Sequence, residues 1–333
     1  MTVLTPNEHL TGSTRQKREI YDRLARFRAD PRHTLRLAER YPRLAFGTMD
    51  ALVGTLSGRD LEVFEAGVEK ARDRLAGLGQ TMLLPLERVF IAVSATTPAY
   101  GGFHHRLLPY RAPDDIQAPG YRYVQAAAVI SRYGDLHTTA PTACTPGIIG
   151  LDLLHAYIHD TFHYLTYRSF RLGTNGIHRN QHGINFRRES GQTYSARDPQ
   201  DSASTRNLGI IMEGAFDREA AAIARDATLA AGLAAPVDGT DAAAFLDAIG
   251  AREPIAGDMP YLASMSAYAG LVTKPYAAFL NDIGGPETAE LHHLTIRATL
   301  DGNLGLLQAW LDQRYGPGEF AALFRSGAYV VAT

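Results

Sequence analysis

Three histidines set the chemistry this chain could do. His155, His159 and His163 fall four residues apart in the stretch Leu151–Arg171, LDLLHAYIHDTFHYLTYRSFR. On a helix, at about 100° per residue, they lie within about 80° of one another, on one face. Leu151, Leu154, Ile158, Phe162 and Leu165 form an adjoining apolar stripe. The stretch therefore predicts an amphipathic helix that buries one side and lines a polar cavity with the other. Two imidazoles at i and i+4 project in parallel and can share one cation. With Cys144 the one cysteine of the chain, such a cation would be held by histidine and carboxylate rather than by thiolates.

Which pair would bind is decided by the neighbouring acid. His159-Asp160-Thr161-Phe162-His163 reads H-D-x-x-H, one methylene short of the H-E-x-x-H in which the acid takes a proton from a zinc-bound water. His155 and His159 have the same spacing, but Ala156 stands at the acid's position. His159 and His163 are the expected ligands and Asp160 the expected general base. A catalytic zinc takes three protein ligands and keeps one position open. The third is expected from the helical stretch Asn207–Ala220, NLGIIMEGAFDREA, where Glu213 and Asp217 are four apart and share a face. Glu213 would bind the metal, and Asp217 would accept a hydrogen bond from a ligand imidazole and fix its tautomer. His155 is a neighbour one turn earlier: a further ligand, a supporting hydrogen-bond partner oriented by Asp152, a substrate contact, or a buried histidine with a satisfied ring.

HDTFH followed by EGAFD resembles the gluzincin zinc metallopeptidases, the thermolysin-like branch of the zincins. The resemblance covers residues 151–171 and 207–220. It implies zinc, an active-site helix backed by a small sheet, and a peptide-like substrate lying along the sheet edge. It also implies a downstream Tyr or His that stabilises the oxyanion. The chain departs from the pattern at two places. Glu213 follows His163 by 50 positions, longer than in thermolysin-like enzymes. Asp160 holds its carboxylate roughly 1.5 Å, one C–C bond, further from the metal than a glutamate would, and a misplacement near 1 Å can cost on the order of 10²-fold in rate. Two other readings stay open: a non-hydrolytic metalloenzyme with two histidines and one carboxylate on ferrous iron, and a catalytically silent binding protein that keeps the zincin fold.

Other residues are candidate contacts. His178 and His182 lie in IHRNQHGINFRRESG with Arg187 and Arg188, which could clamp an anion; a solvated loop is the plainer reading. Tyr261, Tyr268 and Tyr276 are oxyanion candidates against a background of ordinary packing tyrosines. His104-His105 and His292-His293 are adjacent pairs whose side chains diverge on a helix or strand. No G-x-S-x-G elbow, phosphate loop or dinucleotide fingerprint occurs.

Around these residues the chain reads as α+β and mainly helical. Residues 1–12 look like a mobile lead. Ser13 to Gly79 is helical in pattern, with a short helix at Leu35 and Leu37. Strands are expected in Leu86–Thr96 and in Tyr121–Tyr133, the latter a candidate substrate-pairing edge. Residues 172–204 read as a long irregular segment. Helices follow at Thr205–Gly232, within Pro236–Gly257, at Pro260–Leu280, Glu287–Tyr315 and Gly318–Ala328. The expected organisation is a helical region over 1–80 and a zincin-like catalytic domain over 81–333. The latter divides into sheet and His helix (81–171), loop and Glu helix (172–232) and a helical part (233–333). A net charge of −2 in 333 residues gives no basic footprint for nucleic acid or an anionic membrane. No apolar run reaches membrane-spanning length, no secretory signal is evident, and one cysteine fits a reducing cytoplasm. The expected partner is a small molecule or peptide substrate.

Overall fold

A computed structural model describes residues 4–29, 45–93, 101–103, 122–125, 147–174, 176–186, 208–232, 272–320 and 323. In chain order the first elements are β1 (Glu8–Leu10), α1 (Thr14–Ala29), β2 (Ala45–Thr48), α2 (Met49–Val53) and α3 (Gly58–Gly77). Three short strands follow: β3 (Val89–Val93), β4 (Gly101–Phe103) and β5 (Arg122–Gln125). Next come the His helix α4 (Ile148–Leu165), then β6 (Arg168–Gly173), β7 (Gly176–His182) and β8 (Asn185–Phe186). The long helix α5 (Leu208–Ala230), the short α6 (Lys274–Phe279), α7 (Thr288–Asp301) and α8 (Gly305–Tyr315) complete the described part. The class is α+β and mainly helical, as the sequence predicts. Among the described residues there are two small sheets, however, where one was expected: β1-β6-β7-β8 and β2-β3-β5-β4.

Contacts group the chain into two compact units. One comprises Met1–Arg26, Phe162–Arg218 and Gly270–Thr333. Its sheet begins where the His helix stops. The stretch predicted to continue helical to Arg171 turns at Thr166 instead. Thr166 Oγ1 donates back to the Phe162 carbonyl (2.8 Å), and the Arg168 guanidinium donates to the His163 carbonyl (2.5 Å). Together they satisfy carbonyls that the last helical turn leaves open. Residues 172–204 are likewise not one irregular segment: Gly173 and Gly176 close a hairpin in which β7 pairs antiparallel with β6, and β8 pairs antiparallel with β7. The lead also has structure. Glu8–Leu10 adds to β6 as a parallel strand, Glu8 opposite Arg168 and Leu10 opposite Phe170. Ile20 and Leu24 of α1, Phe170 and Ile184 are buried in this unit. The predicted helix Glu287–Tyr315 is two helices, α7 and α8, because Gly302 takes φ +72° at the end of α7. A Cβ at Gly302 would also fall on the Tyr167 ring.

The other unit comprises Phe27–Thr161 and Glu219–Ala269. Its sheet joins β2 antiparallel to β3, β3 parallel to β5, and β5 antiparallel to β4. Within 1–80, read from sequence as a helical region, Ala45–Thr48 forms the strand β2. Leu86–Arg88 forms a 3₁₀ turn, so the described part of the predicted strand is extended from Val89 to Val93. β5 lies between β3 and β4, so the predicted second strand is internal and not a substrate-pairing edge. Val63, Phe64, Ala71 and Leu75 of α3 are buried in this unit with Leu154, Tyr157 and Ile158 of α4. The two helices approach closely at glycines: a Cβ on Gly67 would overlap Leu154, and one on Gly150 would overlap the Asp60 backbone. Arg74 donates two hydrogen bonds to Glu219, at 2.6 and 2.5 Å, tying α3 to the distal part of α5. Among the described residues no helix is long and apolar enough to cross a membrane.

Several expectations lie outside the described residues. These are the short helix at Leu35 and Leu37, the pair His104-His105, Cys144, Arg187, Arg188, the short helix within Pro236–Gly257, and the tyrosines Tyr261 and Tyr268.

Candidate metal centre

The His helix is not half-exposed. From Leu153 to His163 every residue is buried, polar and apolar alike. His155 and His159 are 0% and 1% exposed, Asp160 2%, and His163 6%. The polar face, which the sequence predicts to line a cavity, is thus as enclosed as the apolar one. A buried imidazole or carboxylate is costly unless hydrogen-bonded or ligating, so this row of polar groups calls for a chemical reason.

Glu213 supplies it. Phe162 stacks on Phe216 with ring centroids 5.8 Å apart, and the His163 ring meets Phe216 edge-on at 4.8 Å. These contacts lock the end of α4 against the start of α5. They bring His163 Nε2 to 2.8 Å from Glu213 Oε2. An ionised glutamate can only accept, so the imidazole donates from Nε2. His159 sits one turn back on the same helix, and His159, His163 and Glu213 form a group whose ligand atoms all lie within 4.8 Å of one another. Such a group could hold a metal ion. A tetrahedral ion bound at 2.0–2.2 Å separates its ligand atoms by about 3.3–3.6 Å; the group lies within 4.8 Å, and the 2.8 Å His163–Glu213 contact would open by less than an ångström to admit the ion. Two neutral imidazoles and one carboxylate are also the right donor chemistry for zinc or ferrous iron. The three predicted ligands therefore converge.

The surrounding predictions fare differently. Asp160 and His155 are buried on α4 and do not belong to the three-residue group. Asp217, 1% exposed, accepts a hydrogen bond from Thr273 Oγ1 at 2.6 Å, just ahead of α6. Next to Glu213, a Cβ on Gly214 would overlap Tyr276 of α6. Gly214 and Asp217 thus form the seam by which α6 holds α5. Tyr276 is a packing residue rather than an oxyanion donor: it is 2% exposed and its hydroxyl bonds His292 Nδ1 at 2.7 Å. That pair also accounts for His292, while His293 on the same helix points elsewhere.

His182 is placed on a strand, not on a solvated loop. It is opposite Arg168 in the β6–β7 register. Burial pushes its imidazole well below its ordinary range, helped by the positive charges of Arg179 and Arg168 and by His163, while Glu213 acts in the opposite sense. Sequence reasoning took its surroundings for loop because Gly, Asn and Arg dominate them. The only sequence hint was the β-compatible pair Gly176-Ile177 after a tight Gly-Thr-Asn-Gly turn. His178, by contrast, is exposed opposite Arg171.

Compared with known protein families, with curated proteins and with solved structures, the chain matches none.

Proposed function

We propose that the chain is a gluzincin-like zinc hydrolase that cleaves a peptide, amide or related acyl bond. The observation that carries this reading is the convergence of His159, His163 and Glu213 from two helices into one donor group, its two histidines buried and Glu213 half-buried. The H-D-x-x-H spacing on the first helix and the E-x-x-x-D spacing on the second support it. His159, His163 and Glu213 would hold the ion. When bound, zinc would polarise the substrate carbonyl and make a water acidic near neutral pH. The remaining work belongs to the protein. Asp160, directly after His159, would accept the proton of the attacking water on its carboxylate and return it to the leaving group. Phe162 and Phe216 would hold the His163 ring in place by packing against it. A reducing, cytoplasmic setting fits the single cysteine.

Elemental analysis of the purified full chain is expected to find about one zinc per protein. His159→Ala and Glu213→Ala are each expected to remove it. Protein that neither carries nor takes up zinc would sink the reading. Retention of ferrous iron with substrate-dependent O₂ uptake would turn it toward the oxidative alternative, which the same donors and the short Asp160 also suit.

A further inference from the structure

Of the three donors, His163 has the least secure footing. His159 lies one turn inside α4, where helical hydrogen bonds fix the backbone on both sides. His163 lies in the last turn, which ends at Leu165. A helix leaves the carbonyls of that turn without helical partners, and helix ends fray. A metal ligand must nevertheless stay within about 0.5 Å of its working position. The end of α4 therefore has to be held from outside.

It is held at two adjacent carbonyls. Arg168 Nη2 donates to the His163 carbonyl at 2.5 Å, and Asn7 Nδ2 donates to the Tyr164 carbonyl at 3.4 Å. The two donors are also joined to each other, because the Arg168 N–H donates to the Asn7 carbonyl at 2.8 Å. Arg168 is buried. A buried guanidinium is costly without acceptors, and its hydrogen bonds are stronger than neutral ones. Its charge also lies at the negative end of the helix dipole. Asn7 is anchored in turn by the strand it precedes. Glu8 and Leu10 pair with Arg168 and Phe170, and the His9 ring stacks on Tyr167 with centroids 4.5 Å apart. Thr11 donates to the Phe170 carbonyl from both its N–H, at 2.9 Å, and its Oγ1, at 3.1 Å. From the turn so held, the His163 imidazole stands edge-on to Phe216 with its Nε2 2.8 Å from Glu213.

Resting on the metal-site reading, we propose that Arg168 and Asn7 are positioning residues for His163: by holding the last carbonyls of α4 they keep its imidazole aimed at Glu213 and at the ion the group would bind. Neither would bind the ion itself. Both act through the backbone of the last helical turn.

The test uses the full chain. Zinc affinity is measured by competition with a chelating dye, and ligand geometry is read from the visible spectrum of the cobalt-substituted protein. Asn7→Ala is expected to weaken zinc severalfold and Arg168→Met on the order of tenfold, as the loss of supporting hydrogen bonds around metal ligands does. Both are expected to shift the cobalt bands. Thr11→Val loses a hydrogen bond of the same strand away from the helix end. It is expected to lower stability and to leave zinc affinity and cobalt bands as in the native chain. If Arg168→Met does not fold, Arg168→Gln serves, with the same expectation. A folded variant of Arg168 or Asn7 with native affinity and native bands overturns the role of that residue. A Thr11→Val protein weakened as much as Asn7→Ala overturns both, because loss of strand stability alone would then explain the effect. Protein that takes up no zinc defeats the hydrolase reading alone. The nitrogen and carbon resonances of the His163 ring, assigned by their loss in His163→Gln, then decide the positioning in the metal-free chain. Displacement in Asn7→Ala and Arg168→Met but not in Thr11→Val upholds it, and unchanged resonances overturn it.

Discussion

Asp160 is the residue on which the chemistry turns. It is buried, follows a ligand candidate and is one methylene shorter than the acid that H-E-x-x-H supplies. Asp160→Glu restores that length. Turnover of peptide or amide substrates by the zinc-loaded protein is expected to rise, on the order of 10²-fold if reach alone limits the rate. Unchanged or lower turnover would show that this site is adapted to the shorter acid. On the same helix Tyr157 makes a different prediction. Its hydroxyl donates to the Leu84 carbonyl at 2.6 Å, and burial pushes its pKa from 10.0 to about 12. The folded state therefore holds this proton more tightly than the unfolded chain does. The stabilisation is complete below pH 10 and disappears as pH rises from 10 toward 12. Two units correspond to about 2–3 kcal/mol. Tyr157→Phe is expected to flatten that alkaline decline in denaturant titrations, at a loss of about 1 kcal/mol at neutral pH for the missing hydrogen bond.

At the scale of elements, the seam between α5 and α6 governs how Glu213 is aimed. Gly214 follows Glu213 directly, and its missing side chain is the space that Tyr276 fills. Gly214→Ala forces the two helices apart or rotates α5. The expected cost is about 1–3 kcal/mol in thermal or chemical unfolding, with weaker zinc binding than the stability loss alone would cause. Normal zinc affinity in a folded Gly214→Ala protein would show that α5 is aimed by other contacts. The two ligand helices were legible in the sequence because i, i+4 spacing records a helix face directly: His159 with His163, and Glu213 with Asp217. The three donors could be named for the same reason. The ribbon between them was not legible. Arg168–His182 is polar and glycine-broken, and its strands are defined by partners rather than by composition. Glu8 finds Arg168, and Arg179 finds Phe170, only once the chain has folded. Asn7 meets Tyr164 across 157 positions, so neither it nor Arg168 could be singled out.

For the whole molecule, an ion held by the proposed group would link metal to fold. The candidate ligands come from α4 and α5, and each of these helices contributes residues to both compact units. An ion that binds only the folded chain stabilises it by about 2.7 kcal/mol at a hundredfold excess over Kd. Chelation is therefore expected to lower the Tm of the whole protein, and added zinc to restore it. Glu213→Ala protein is expected to be insensitive to both, and a Tm indifferent to chelator in the native sequence would count against a bound ion. The strand β1 carries one more implication, for synthesis. Leu10 must pair with Phe170, and Thr11 bonds the Phe170 carbonyl across 159 positions of sequence. At 5–20 residues per second, a ribosome needs roughly ten to thirty seconds between making the two strands. Throughout that interval Glu8–Leu10 has no partner strand. Once β6 is made, the waiting strand can cover its edge at once, and all four strands of this sheet end by Phe186, before Glu213 is made, so the sheet can be complete before the candidate donor group can form.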